Sequence, residues 1–330
     1  MSETVAEFMQ KNVKAYRCGR DARKAKKTLM QAFTASKPAD AVREEALFEG
    51  ILDSVMQTKK GQETMKALAG FGYSYAFEKG NFGGFCDPVN KKIVINPSFS
   101  FEYMLQTAVH EGRHAIQYSL EKENTPDYEK TQVASFLRKH RAIEADAVAH
   151  EMAFVYECKD VLPKVYQDAK EQDLPMFRAF VGEMEASGDE RRAMQACFAS
   201  WYECDYYRDY YDKNHKDAIK QICDWSKQEK TSGCFSKEYP AADVLKMCRY
   251  KGQSYMTEEF LNSGKAFSVT QKDKREIYAM VCNYAKAVPG TKPDMSVLKM
   301  RERKENGELL PARDAAQTAV VAAKLNRKGR

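Results

Sequence analysis

Residues 110–114 read His-Glu-Gly-Arg-His, the HExxH pattern, and chemistry is expected there first. In a helix, positions i and i+4 share a face, so His110 and His114 can present two imidazoles to one metal ion while Glu111 projects beside them towards a water. The flanking Leu105, Ala108, Val109, Ala115 and Ile116 are apolar. The segment therefore reads as a buried helix, where two histidines and a glutamate without a cation would be costly. The ion expected is zinc, one per chain, held by three protein ligands with a fourth position open to water.

A third ligand has to come from elsewhere in the chain. The segment Arg138–Glu151 (RKHRAIEADAVAHE) offers Glu144 among Ile143, Ala145, Ala147 and Val148, an acid on a largely apolar helix face. His140, one turn earlier, could be a ligand in its place or a supporting partner, and His150 and Glu151 are further alternatives on the same helix. Asp146 points about 200° around the helix from Glu144, so the two cannot readily serve the same ion. The candidate site is thus His110, His114 and Glu144 as metal ligands, with Glu111 as general base and later general acid in hydrolysis.

This arrangement resembles the gluzincin branch of zinc metallopeptidases. The likeness rests on HExxH on one helix, a glutamate on the next, and a short strand leading into Ile95-Asn96-Pro97. It is similar to a bacterial metallopeptidase family and, more distantly, to the ImmA/IrrE-type peptidases, whose second motif has the form ExxA; Glu144 and Ala147 match that form. The resemblance spans residues 72–158 by motif and implies a zincin-like fold and a metalloendopeptidase acting on a peptide or protein substrate. It also implies a donor to the reaction's oxyanion, and the tyrosine-rich stretch from Trp201 to His215 is the place to look. There the choice lies between His215 or a nearby tyrosine as donor and an aromatic packing face with His215 exposed. In thermolysin-like chains an acid stands one turn after the glutamate ligand, whereas here that position is Val148.

The elements that must position these residues can be read from periodicity. Apolar spacing over Ala41–Met56 predicts an amphipathic helix, and a shorter helix ends at Gly70. The stretch from Gly72 to Pro97 is rich in aromatic and β-branched residues and reads as two or three short antiparallel strands. Gly80, Gly83 and Gly84 are hairpin glycines in this reading, since GNFGGF lacks the spacing of a phosphate-binding loop. The resemblance further implies that the last strand, Lys92–Asn96, offers an exposed sheet edge on which an extended substrate could pair. The motif helix follows over Phe101–Leu120, capped by Ser98 or Ser100, and a second long helix covers about Gln132–Cys158. Beyond Cys158 the pattern is helical, with no strand indicated.

The fold class expected is α+β: a small antiparallel sheet with the two ligand helices in a zincin-like core, and a mainly helical remainder. Residues 1–39 are read as a basic helical arm, 40–160 as the core, 161–290 as a helical region completing or covering the cleft, and 291–330 as a charged, mobile tail or loosely docked arm with one helix at Pro311–Leu325. A formal net charge of +6 over 330 residues is modest and gathers at the two ends, so no nucleic-acid partner is expected. Nine cysteines without a CxxC pair argue for reduced, buried thiols rather than a cysteine zinc site or redox motif. No leader or membrane span is read from the sequence, which points to a cytoplasmic protein, with export as an effector still open. Oligomeric state is not read from it. The rival function is a non-catalytic, zinc-stabilised module that binds a partner protein.

Overall fold

The structure, a computed structural model, describes residues 19–121 and 128–311. The first residues of the basic arm, Cys18, part of the loop after the motif helix and nearly all of the expected Pro311–Leu325 helix lie outside the described residues. The chain is mostly helical with small sheets, and it divides into two compact units: residues 1–122 with 145–200, and residues 123–144 with 201–330.

The first unit opens with α1 (Arg20–Ala32), α2 (Ala41–Val55) and α3 (Lys59–Phe71). Helix α2 bears out the apolar spacing of that segment. Thr58 caps α3 by accepting from the Gly61 amide at 2.9 Å, and α3 stops where Gly72 takes a left-handed φ of 75°. Strands β1 (Ser74–Phe77), β2 (Gly84–Asp87) and β3 (Lys92–Ile95) form a sheet of order β1-β3-β2.

The sheet is mixed, not antiparallel. β1 runs parallel to β3, with Ser74 opposite Lys92 and Phe77 opposite Ile95, and only β2 is antiparallel to it. Strand-like composition marks the strands without giving their directions. The pattern of β3 does carry a clue, because Ile93, Val94 and Ile95 are consecutive apolar residues, all buried, as a central strand requires. β3 is therefore no edge. β1 is bridged on its far side by Thr34 opposite Ala76, so the unpaired edge among the described residues belongs to β2.

The motif helix, α4, spans Phe101–Leu120, and Ser100 is its cap, accepting from the Tyr103 amide at 3.2 Å. It is seated on β1, whose Tyr75 hydroxyl donates to the Ala108 carbonyl at 3.1 Å. It also lies against α3 at Gly112, where an added Cβ would come within 2.7 Å of Thr64 Cγ2 and 3.2 Å of Leu68 Cδ1. The glycine inside HEGRH is thus a close-approach residue. Helix α5 runs unbroken from Val133 to Val161, and Glu157 near its end accepts from the Lys60 amide at the start of α3. Helices α6 (Pro163–Gln172), α7 (Pro175–Ser187) and α8 (Glu190–Trp201) follow.

The second unit contains the first turns of α5, then α9 (Asp205–Gln228), α10 (Ala241–Leu245), α11 (Glu258–Leu261) and α12 (Gln271–Ala287). Four short strands occur where none was expected: β4 (Arg249–Tyr250) with β5 (Gln253–Ser254), and β6 (Ser268–Thr270) parallel to β7 (Arg301–Arg303). Runs of two or three residues are too short for a period-2 pattern to show. Residues 294–303 pack onto this unit: Val297 and Met300 join the core around Val133, Leu137, Ile219 and Val281. Asp294 and Ser296 cap α5 by accepting from the Val133 and Ala134 amides at 2.6 and 3.0 Å. The described cysteines are free, seven of them buried and Cys86 half-buried. Among the described residues, no helix is long and apolar enough to cross a membrane.

Candidate metal centre

His110 and His114 occupy successive turns of α4 and turn the same way, their ring centroids 4.9 Å apart and their Nε2 atoms 3.2 Å apart. Glu144 stands on α5, with Ile143 and Ala145 fully buried on either side of it. One ligand atom from each of His110, His114 and Glu144 lies within 4.8 Å of the others. Among the described residues this is the single group of three or more histidines, cysteines or acids so arranged. His114 is buried and the other two are half-buried.

Glu111 is buried and faces β2. Its Cγ lies 3.2 Å from where a Cβ on Gly84 would sit, and its charge acts on Cys86. Burial pushes the Cys86 thiol up to about 12, and Glu111 adds to that shift.

The other polar residues of α5 have different occupations. His140 packs on Phe136 with the rings tilted and their centroids 4.2 Å apart, and neighbours His215 at 5.4 Å, outside the three-residue group. His150 has its Nε2 3.7 Å from Asp146 Oδ1. Asp146 accepts from Arg113 Nε and from Gln117 Nε2, both at 2.6 Å. Glu151 Oε2 lies 2.9 Å from His110 Nδ1, and Gln117 Oε1 lies 2.9 Å from His114 Nδ1.

The sequence offers Glu151 as a competing ligand and not as a partner of His110, and gives Gln117 no role; the position one turn after Glu144, where a supporting acid would stand in thermolysin-like chains, is Val148. A signal was available. Seven residues are close to two full turns, so position 151 returns to the face of position 144. The 200° offset that removed Asp146 as a ligand also turns it towards Arg113 and Gln117.

His215, exposed in one of the two readings of the tyrosine-rich stretch, is buried on α9. It belongs to a run of ring contacts with Phe136, His140 and Tyr211. Burial, then the Arg141 charge, lowers its pKa to about 4 against the opposing pull of Asp212 and Glu144. Its Nδ1 makes no hydrogen bond among the described residues. Asp212, one turn earlier, takes Arg141 on one carboxylate oxygen and Arg303 on the other, each at 2.6 Å. Periodicity placed this helix on a packing face; the charges that bury its polar side come from β7 and α5, which local sequence cannot reveal.

Two imidazoles and a carboxylate converging from neighbouring helices form a donor set suited to a divalent metal. The chain belongs to a metallopeptidase family. The matching family model, described as "Putative metallopeptidase family (DUF6782)", covers residues 22–253. That span includes His110, Glu111, His114 and Glu144, together with Glu151 and His215. Membership implies a metal and the hydrolysis of peptide bonds in a peptide or protein substrate. No curated protein and no solved structure matches the chain.

Proposed function

We propose that this protein is a zinc-dependent peptidase in which His110, His114 and Glu144 hold the ion and Glu111 moves the proton. The observation that carries this reading is the convergence of those three ligand atoms within 4.8 Å, next to a buried glutamate on the same HExxH turn. The residues fit zinc: nitrogen and oxygen donors are of the borderline kind it takes, and three protein ligands leave one coordination position for solvent. When bound, such an ion acidifies a water and polarises a carbonyl.

The remaining work falls to the chain. Glu111 takes the proton of the attacking water on its carboxylate and delivers it to the leaving amine nitrogen. Its placement against Gly84 aims it at the start of β2, the strand with a free edge. A substrate in extended form would pair along β2, not β3, and bring its scissile carbonyl past Glu111. His215, buried and with no hydrogen bond at Nδ1 among the described residues, is the group of the aromatic helix best suited to assist at the oxyanion, ahead of the exposed Tyr206 and Tyr210.

Elemental analysis of purified protein beside His114→Ala and Glu144→Ala, with peptide turnover measured for Glu111→Gln, tests the reading. One zinc per chain that is lost in both ligand variants, and a Glu111→Gln protein that keeps its zinc but not its turnover, is the expected result. Zinc-free wild type would overturn it. A Glu111→Gln variant with undiminished function would favour the non-catalytic module instead.

A further inference from the structure

The hydrogen bonds behind the two imidazoles determine more than their orientation. A carboxylate can only accept, so Glu151 at 2.9 Å requires a proton on His110 Nδ1. The second ring is constrained through a relay. Asp146 can likewise only accept, so the Gln117 side chain turns its Nε2 towards Asp146, at 2.6 Å, and its Oε1 towards His114 Nδ1, at 2.9 Å. That carbonyl oxygen is again only an acceptor, and His114 must carry its proton on Nδ1. Arg113, at 2.6 Å on the same Asp146 oxygen, holds the carboxylate in place and balances its charge inside the protein.

With Nδ1 of each ring committed to its supporting acceptor, Nε2 is the nitrogen turned towards the point where the Glu144 carboxylate joins the group, the two Nε2 atoms lying 3.2 Å apart. We infer that Glu151, acting on His110, and the Gln117–Asp146 relay, acting on His114, are positioning residues that fix which nitrogen of each ring faces the metal. The identity of the ion rests on the metallopeptidase reading; the assignment of tautomers does not.

The two supports differ in kind. His110 leans directly on a half-buried carboxylate, whereas His114 meets a neutral amide whose far end is anchored on a buried ion pair. Loss of such partners typically weakens metal binding 10- to 100-fold.

The test uses the full-length protein with ¹⁵N-labelled histidine. Ring nitrogen spectra of the zinc-free protein at about pH 8, above the usual histidine range, distinguish Nδ1–H from Nε2–H directly. With only five histidines, single substitutions assign the signals. Zinc affinity is then measured by competition with a chelator in wild type, Glu151→Gln and Gln117→Met. Gln117→Met is preferred to a change at Asp146 because it removes the acceptor yet keeps the Arg113–Asp146 pair.

The expected result is Nδ1–H on both rings in wild type, mixed tautomers at His110 in Glu151→Gln and at His114 in Gln117→Met, and a 10- to 100-fold loss of zinc affinity in each variant. Nε2–H on either ring of the wild type would overturn the inference. So would two variants that keep both the spectra and the affinity of the wild type. Wild-type protein that shows Nδ1–H on both rings yet takes up no zinc would reject the peptidase reading and uphold the tautomer assignment.

Discussion

Replacing Gly84 with alanine tests how closely β2 and Glu111 are fitted. The backbone at Gly84 is not in the left-handed region, so the constraint is space. An added Cβ would stand 2.5 Å from Thr107 Cγ2, 2.7 Å from the Val94 carbonyl oxygen and 3.2 Å from Glu111 Cγ. Carbon atoms in good contact are about 3.5–4.0 Å apart, so roughly 1 Å must be found at Thr107, and the Val94 carbonyl is ladder backbone that cannot swing aside. Overpacking of this kind costs about 1–3 kcal/mol, a loss of several degrees in Tm. If the displacement reaches Glu111, misplacement by about 1 Å lowers turnover on the order of 100-fold. Zinc content should be unchanged, because the contact falls on the base and on none of the three ligands. Adding Thr107→Ser removes the shortest contact, keeps the Val94 clash, and should restore stability partway. Peptide turnover, zinc content and thermal unfolding of the three proteins decide the matter. A folded, zinc-loaded Gly84→Ala protein with wild-type turnover would refute the claim that Glu111 works against this strand.

Other consequences follow from the second unit. Asp294→Ala removes the acceptor at the first amide of α5 and should cost about 1 kcal/mol in urea unfolding, the usual worth of an N-cap; an unchanged midpoint would mean that residues 294–296 are not needed there. Asp212→Ala leaves Arg141 and Arg303 buried without their shared carboxylate and should destabilise by about 3–5 kcal/mol, measured the same way. His215 has a folded pKa of about 4 against an ordinary 6.5, so between those values the unfolded chain binds a proton that the folded one refuses. Stability should therefore fall as pH drops from 6.5 towards 4, by up to ~3 kcal/mol from this group, and the slope should flatten in His215→Gln. Equal slopes for wild type and variant in zinc-free protein would count against a neutral, buried His215.

The parts of the site legible in the sequence are those set by local periodicity. HExxH fell on a helix whose observed bounds, Phe101–Leu120, are the expected ones, with a serine cap read from the same few residues. Glu144 was singled out because an acid among Ile143, Ala145 and Val148 needs a cation, and the fold does bring it to the two imidazoles. What was missed depends on contacts distant in sequence. Strand direction in the sheet, the exchange of β3 for β2 as the free edge, and the burial of His215 beneath Arg141 and Asp212 are set by where segments meet. The short strands β4–β7 and the docking of residues 294–303 carry too few residues for any period to emerge. Gly84 and Gly112 were visible, but only close backbone approach, at a strand and at a helix crossing, explains why each lacks a side chain.

Helix α5 brings these strands of argument together through one constraint. From Arg138 to Glu151 it is polar at every turn and yet almost wholly buried: Arg141 is 2% exposed and Asp146 0%. A buried polar side chain is tolerable only when its partners are supplied. Arg138 donates to Asn262 and to the Tyr239 carbonyl, Lys139 lies over the Tyr239 ring, and Arg141 binds Asp212. Asp146 takes Arg113 and Gln117, and Glu151 takes His110. Asp146 and Glu151 thus each meet a partner supplied by α4, and Glu144 on the same helix comes within 4.8 Å of the two imidazoles. A divalent ion at the point where those three groups converge would engage a carboxylate and two ring nitrogens together, while the contacts of Asp146 and Glu151 hold the rings in place behind it.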